Sequence, residues 1–272
     1  MRPVAGLLFA VLLGFPGLCA AQSFGPPPAA QPTKPRTGPA RLSVDVSLVG
    51  VAASQAQDRY FQVTRVQFGE LATYRALYPQ PATPSFAPLS DVSAAYRFTP
   101  VFALGGGFSQ ITYDDGADLV ATVPHPAFFG ASGTGLGSTA ALSRRERAFN
   151  ISIILAPVHS RRMEWRLFGG PSYFWYSAEM VSDVLYTQTA GAISQNVITV
   201  DGAESRTAEG TTFGLHLGSD FAYYVLPKLA LTGGVQMGYG TVTLREPLSN
   251  INQQIRVGNT RVCMGVRFAL GR

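Results

Sequence analysis

Charge is scarce in this chain: only 14% of its 272 residues are Asp, Glu, Lys or Arg, against the roughly 25% of an average soluble domain. Lysine is almost missing, since 19 of the 21 basic residues are Arg. Long apolar runs are missing too. A membrane helix needs about 18 apolar residues in succession, and beyond the first 21 residues Gly, Ser, Thr, Gln and Arg interrupt every apolar stretch well short of that. A helical membrane protein is therefore excluded. No Lys/Arg cluster alternates with aromatics, and the net charge of +5 is modest, so no nucleic-acid partner is expected. What remains is a soluble β protein or a membrane β-barrel.

Cysteine is equally sparse, with Cys19 and Cys263 the two present. Residues 1–21 read as a secretory signal peptide: Arg2 is the basic start, Val4 to Phe15 the apolar core, and Cys19-Ala20-Ala21 the small-residue cleavage site. Cleavage before Gln22 leaves Cys263 alone, so an intrachain disulfide is ruled out and the thiol is expected to be buried. Residues 22–40 form a Pro-rich linker, with six Pro between Phe24 and Pro39. Such a segment favours extended polyproline geometry and holds too few apolar side chains to pack a core. The ordered domain is expected over 41–272.

What the sequence does have is an apolar period of two. Leu42, Val44, Val46 and Leu48 alternate with Ser43, Asp45 and Ser47, the pattern of a strand with two unlike faces. The same alternation recurs over 91–98, 101–113, 146–156, 164–180, 210–225, 229–244 and 261–271, which predicts eight strands. The gaps between them are 38, 2, 32, 7, 29, 3 and 16 residues, so long and short connections alternate throughout. An up-and-down membrane barrel has short periplasmic turns and long external loops, whereas a soluble sandwich has no reason to segregate them. The expected fold is an all-β, eight-stranded antiparallel up-and-down transmembrane barrel. Strand-like alternation from Tyr60 to Tyr78 keeps a ten-stranded barrel as the alternative, with an ordered extension of the first external loop preferred. Gly169-Gly170-Pro171 predicts a bulge in the fifth strand, because a closed barrel has no edge on which Pro is harmless.

Charge parity says which face is outside. The apolar parity carries no charge, while the other carries Asp45, Asp91, Arg97, Glu164, Arg166, Asp220, Arg261 and Arg267. A soluble barrel would have the opposite polarity. Lipid outside and a polar lumen require this one. These four acids and four Arg sum to zero, and are expected to pair into a network that fills the lumen, because an unpaired buried charge is costly. A gated, very narrow pore is the alternative. Trp165 and Trp175 share the outward face, as do Phe213 and Tyr223, each pair ten residues apart. Ten tilted residues climb roughly 25 Å, the height of an apolar band between two aromatic girdles.

Catalytic patterns are weak. His159-Ser160 lies in a short connector assigned to the periplasm. His216 and Asp220 are four residues apart on one strand, about 13 Å and too far for a direct hydrogen bond. His125 sits between Pro124 and Pro126, with no Ser or Cys at a recognisable spacing. No catalytic residue, metal site or cofactor is assigned, and a non-enzymatic role is expected.

Val123-Pro124-His125-Pro126 with Phe128-Phe129, Leu142-Ser143-Arg144-Arg145-Glu146, Phe168-Gly169-Gly170-Pro171-Ser172 and Gly265-Val266-Arg267-Phe268 carry a resemblance. On them, residues 41–272 resemble the bacterial outer-membrane protein β-barrel domain family, distantly similar to the barrel of outer-membrane protein A. The resemblance implies a small barrel of unassigned role with no catalytic residues to transfer. Such barrels usually end in an aromatic residue read by the assembly machinery, whereas here Phe268 is followed by Ala269-Leu270-Gly271-Arg272. The expected partners are outer-membrane lipid, the barrel assembly machinery and an external ligand held by loops 53–90, 114–145 and 181–209. A structural or surface-interaction role comes first, a narrow passive channel second and a lipid-modifying enzyme third.

Overall fold

The computed structural model describes residues 41–53, 59–78, 86–160, 162–192, 195–247 and 250–270. The signal peptide and the Pro-rich linker lie outside the described residues. Eleven strands follow one another: β1 (Leu42–Ala53), β2 (Arg59–Gln67), β3 (Glu70–Tyr78), β4 (Phe86–Arg97), β5 (Phe102–Pro124), β6 (Ser132–His159), β7 (Met163–Ala190), β8 (Asn196–Leu226), β9 (Leu229–Arg245), β10 (Asn252–Val257) and β11 (Thr260–Leu270). Eight of them close a ring, β1-β4-β5-β6-β7-β8-β9-β11, with β11 returning to β1 through the pairs Leu42↔Leu270 to Ala53↔Thr260. Every pairing in the ring is antiparallel. The protein is an eight-stranded up-and-down barrel, and the ten-stranded alternative is excluded.

The strands that do not join the ring take over where ring strands stop. β4 pairs with β5 only up to Asp91↔Ser109, and above that point β3 occupies its place through Leu77↔Asp118 to Thr73↔Thr122. In the same way β10 pairs with β9 from Val257↔Gly240 to Asn252↔Arg245, beyond the stretch that β11 covers. β2 and β3 thus form a hairpin outside the ring. Its turn, Phe68-Gly69, has φ of 52° and 81°, the left-handed pair of a type I′ hairpin.

Residues 114–145 and 181–209 are not loops. β5 and β6 run on as a paired hairpin to Pro124↔Ser132, and β7 and β8 to Ala190↔Asn196. Local apolar alternation fades there for separate reasons. On β6 the inward positions are Gly133, Gly135 and Gly137, and the backbone of β8 lies directly on them: a Cβ on Gly135 would stand 2.6 Å from the Ile198 carbonyl oxygen. On β7 a register shift between Val181 and Asp183 switches the parity. Above the ring the hairpins therefore build a second core, in which Tyr74, Leu119, Val123, Val181, Val184 and Ile198 are buried together. Burial raises the phenol of Tyr74 above its ordinary pKa, and its hydrogen bond with Tyr186 adds to the shift.

The bulge expected at Gly169-Gly170-Pro171 is absent. The β7–β8 register runs unbroken through Gly169↔Leu217, Gly170↔His216 and Pro171↔Leu215. On the other side Asn150↔Ser172 and Ile153↔Gly169 share one register, and pairing lapses only between them. The missing Pro N–H is absorbed by that local gap. Gly170 is required beside it, since a Cβ there would meet the Ile151 carbonyl oxygen at 2.1 Å.

Candidate functional site: a filled lumen

Strand parity turns the polar set inward. Asp45, Glu164, Arg166, His216, Gln236, Arg261 and Arg267 are all buried, while Leu104, Phe108, Ile151, Ile153, Leu217, Leu231 and Met264 stand exposed on the outer face. Water would not hold such a surface in place, but lipid would.

Two of the lumenal ion pairs are direct cross-strand neighbours. Asp45 faces Arg267 across β1–β11, and Arg166 faces Asp220 across β7–β8. The two pairs then interlock across the lumen. Arg166 Nη2 reaches Asp45 Oδ2 at 3.1 Å, and Arg267 Nη2 donates to Asp220 Oδ1 at 2.6 Å. The result is a square of alternating charge, Asp45-Arg166-Asp220-Arg267. Glu164 extends it toward the short turns: its Oε2 lies 3.5 Å from Arg267 Nη1 and accepts from the Tyr224 hydroxyl at 2.9 Å, while Arg97 Nη2 donates to Oε1. Six of the eight lumenal charges singled out in the sequence thus sit in one cluster.

The other two stand apart. Arg261 belongs to a second tier, donating to Ser109 Oγ at 2.7 Å and pairing with Glu146 Oε1 at 3.3 Å. Glu146 also accepts the backbone N–H of Gly258 at 3.2 Å. Sequence reasoning missed Glu146, although it shares the inward parity of Asn150. Asp91 lines a lumenal chamber of about 90 Å³, together with Asn150, Ser152, Gln236 and Cys263. At the same level His216 joins three strands: Nε2 bonds Ser152 Oγ at 2.8 Å, Nδ1 bonds Ser172 Oγ at 2.8 Å, and Ser172 Oγ donates to Asn150 Oδ1 at 2.7 Å. These partners come from β6 and β7, so no local spacing announces them. Higher still, Phe174, Tyr176, Met180, Val242 and Leu244 are buried as an apolar roof.

The four aromatic positions all lie on the lipid face. Trp165 Nε1 donates to Ser219 Oγ at 2.8 Å, and Tyr223 stands opposite Met163 at the same end. Toward the other end Tyr173 packs edge-on against Trp175 with centroids 4.4 Å apart, and its ring lies 4.8 Å from that of Phe213. Register extends this level into a row, Phe108↔Phe149↔Tyr173↔Phe213. One outward position above it stand Gln110, Arg147, Trp175 and Thr211, where the face turns polar on either side of Trp175. His159 and Ser160 lie at a short turn, where Ser160 Oγ accepts from the Met163 N–H, and His125 Nδ1 accepts from the Ala127 N–H in the β5–β6 turn.

A closed antiparallel ring, an apolar outer face and a charge-filled interior define the class: a small membrane β-barrel. Among solved structures the chain is similar to Neisserial surface protein A, with 14% identity, a TM-score of 0.41, and coverage of 86% of this chain and 99% of that one. It is also similar to the outer membrane protein OprG from Pseudomonas aeruginosa, with 8% identity, a TM-score of 0.47 and coverage of 86% and 98%. A third is the outer membrane protease OmpT from Escherichia coli, with 10% identity, a TM-score of 0.39 and coverage of 84% and 96%. No protein-family model and no curated protein sequence matches the chain.

Proposed function

We propose that the protein is an exported outer-membrane barrel whose lumen is closed to solutes and whose hairpins above the ring serve surface interaction. The observation that carries this reading is the interlocked square Asp45-Arg166-Asp220-Arg267, which crosses the lumen from four strands. A buried charge with two partners resists displacement by water or an ion. A second tier at Arg261–Glu146 and an apolar roof at Phe174 stand in the same path. The signal peptide at 1–21 and the inverted polarity support the outer membrane, with its lipid and the barrel assembly machinery as partners.

The expected surface partner meets the hairpins formed by 59–78, 114–145 and 181–209 rather than loose loops. A packed core beneath these hairpins supports a preformed binding surface, with little ordering cost on association. A non-enzymatic role is favoured because the Ser152–His216 contact lies on the lumenal side of the ring, away from any outer-leaflet substrate.

Planar-bilayer recording tests the closed lumen. Purified barrel is expected to insert without resolvable current steps. Stable single-channel steps in the unmodified protein would overturn the plug and favour the passive-channel reading, with the chamber as its widest part. Recovery of the exported protein in the soluble periplasm would overturn the membrane assignment.

A further inference from the structure

On the outside of the barrel, just above the last aromatic row, β6, β7 and β8 frame an open recess of about 320 Å³. Arg147 stands opposite Trp175 and Arg145 opposite Ser177. Both Arg side chains are exposed and belong to the outward parity. Two carboxylates share the recess, and both are engaged with other groups: Glu179 accepts the Ser143 N–H at 3.0 Å, and Glu209 accepts from the Ser177 hydroxyl at 3.4 Å. Arg147 is steadied by Gln110, whose Oε1 accepts from its Nε at 2.9 Å. Among the described residues, no ion pair neutralises either guanidinium.

The four charges of the recess sum to zero, so what marks it is two guanidiniums that no carboxylate among the described residues holds, together with its height. Arg147 and Arg145 lie two and four residues beyond Phe149 on the same face. At about 3.3 Å per residue and a tilt near 40°, that places them roughly 5 and 10 Å above the apolar boundary. The polar headgroup layer of a bilayer extends roughly 5 to 7 Å beyond the hydrocarbon core on each side, so Arg147 lies within it and Arg145 just above it.

We propose that this recess binds the phosphate group of an anionic lipid in the outer leaflet. Arg145 and Arg147 pair with the phosphate oxygens, as planar guanidinium forks do. Trp175 packs against the headgroup, and the acyl chains descend along Phe149, Tyr173 and Phe213. The proposal rests on the membrane reading above, and it assigns the chain a lipid by chemistry rather than by bulk immersion.

Native mass spectrometry of the barrel in detergent, loaded with bisphosphorylated lipid A or with the same lipid stripped of both phosphates, tests it. Wild-type protein is expected to retain the phosphorylated lipid, and R145Q/R147Q to retain it about tenfold less or worse. The exposed Arg75→Gln, on β3 away from the recess, is expected to change nothing. Equal retention of both lipids, or equal retention by wild type and double variant, would overturn the site. Inorganic phosphate that displaced the lipid at matched concentration would reassign the recess to a soluble anion and also overturn it. Heat-modifiable gel mobility and insertion into nanodiscs are measured on the same samples: a barrel that inserts but fails the lipid comparison loses only this site, and one that never inserts loses the membrane reading itself.

Discussion

Asp45 and Arg267 face each other across β1 and β11, the first and last strands of the ring, and the Arg267 Nε donates to Asp45 Oδ1 at 2.5 Å. The closing seam of the barrel therefore carries one side of its charge square. Arg267 meets its other partners, Asp220 and Glu164, from β8 and β7 on the far side of β9, so pairing of β11 with β1 is what adds Asp45 and completes the square.

Removing one member of the square should cost more than removing an ion pair. Arg267→Met leaves Asp45 and Asp220 to share Arg166 alone and takes a cation from Glu164, and removing one partner of a buried pair costs roughly 3–5 kcal/mol. The variant is expected to lose heat-modifiable mobility at a distinctly lower temperature. Restoring charge balance with Asp45→Asn in the same chain should recover part of that loss, a non-additivity read from a double-mutant cycle.

Cys263 reports on the chamber. Its side chain belongs to the lumenal parity and lines that space of about 90 Å³. Cys263 is only partly buried, but a maleimide bulkier than that space must displace lumenal side chains to reach it. Folded protein is expected to label slowly and the urea-unfolded chain at once, measured by intact mass. Rapid labelling of the folded barrel would mean the tiers open to solvent.

Gly135→Val should separate the two cores. A Cβ at this position would stand 2.6 Å from the Ile198 carbonyl oxygen and 2.9 Å from its Cγ2, and overpacking of this kind costs roughly 1–3 kcal/mol. The hairpins above the ring are expected to become protease-sensitive between 181 and 209. Heat-modifiable mobility should persist, because the ring contains none of these contacts.

Phe68→Asn should tighten the β2–β3 hairpin. Phe68 holds φ of 52° in a two-residue turn and is 58% exposed, so its ring packs little to offset a left-handed backbone. Asn tolerates that conformation, and relief of about 1 kcal/mol is expected. Slower amide exchange across Val66 and Leu71, the second pair from the turn, would register it.

Parity made the ring strands legible. An apolar residue at every second position, with charge confined to the alternate set, requires two unlike solvents on the two faces of a strand, and that single constraint gave the strand number, the polarity and the lumenal charges from Asp45 to Arg267. It failed where the second face stopped being lipid. Above the ring, Gly133, Gly135 and Gly137 face a neighbouring strand and the β7 parity slips at Asp183, so the strands there read as loops.

By itself the sequence determined which side chains point inward, because side-chain direction along a strand is a local property of period two. Which of them meet was decided by register and closure alone. Asp45 finds Arg166 across 121 residues of chain, and Ser152 finds His216 across 64. Those distances are spanned by strands whose pairing depends on the whole ring, so no local pattern encodes the square, the His216 bridge or the chamber between them.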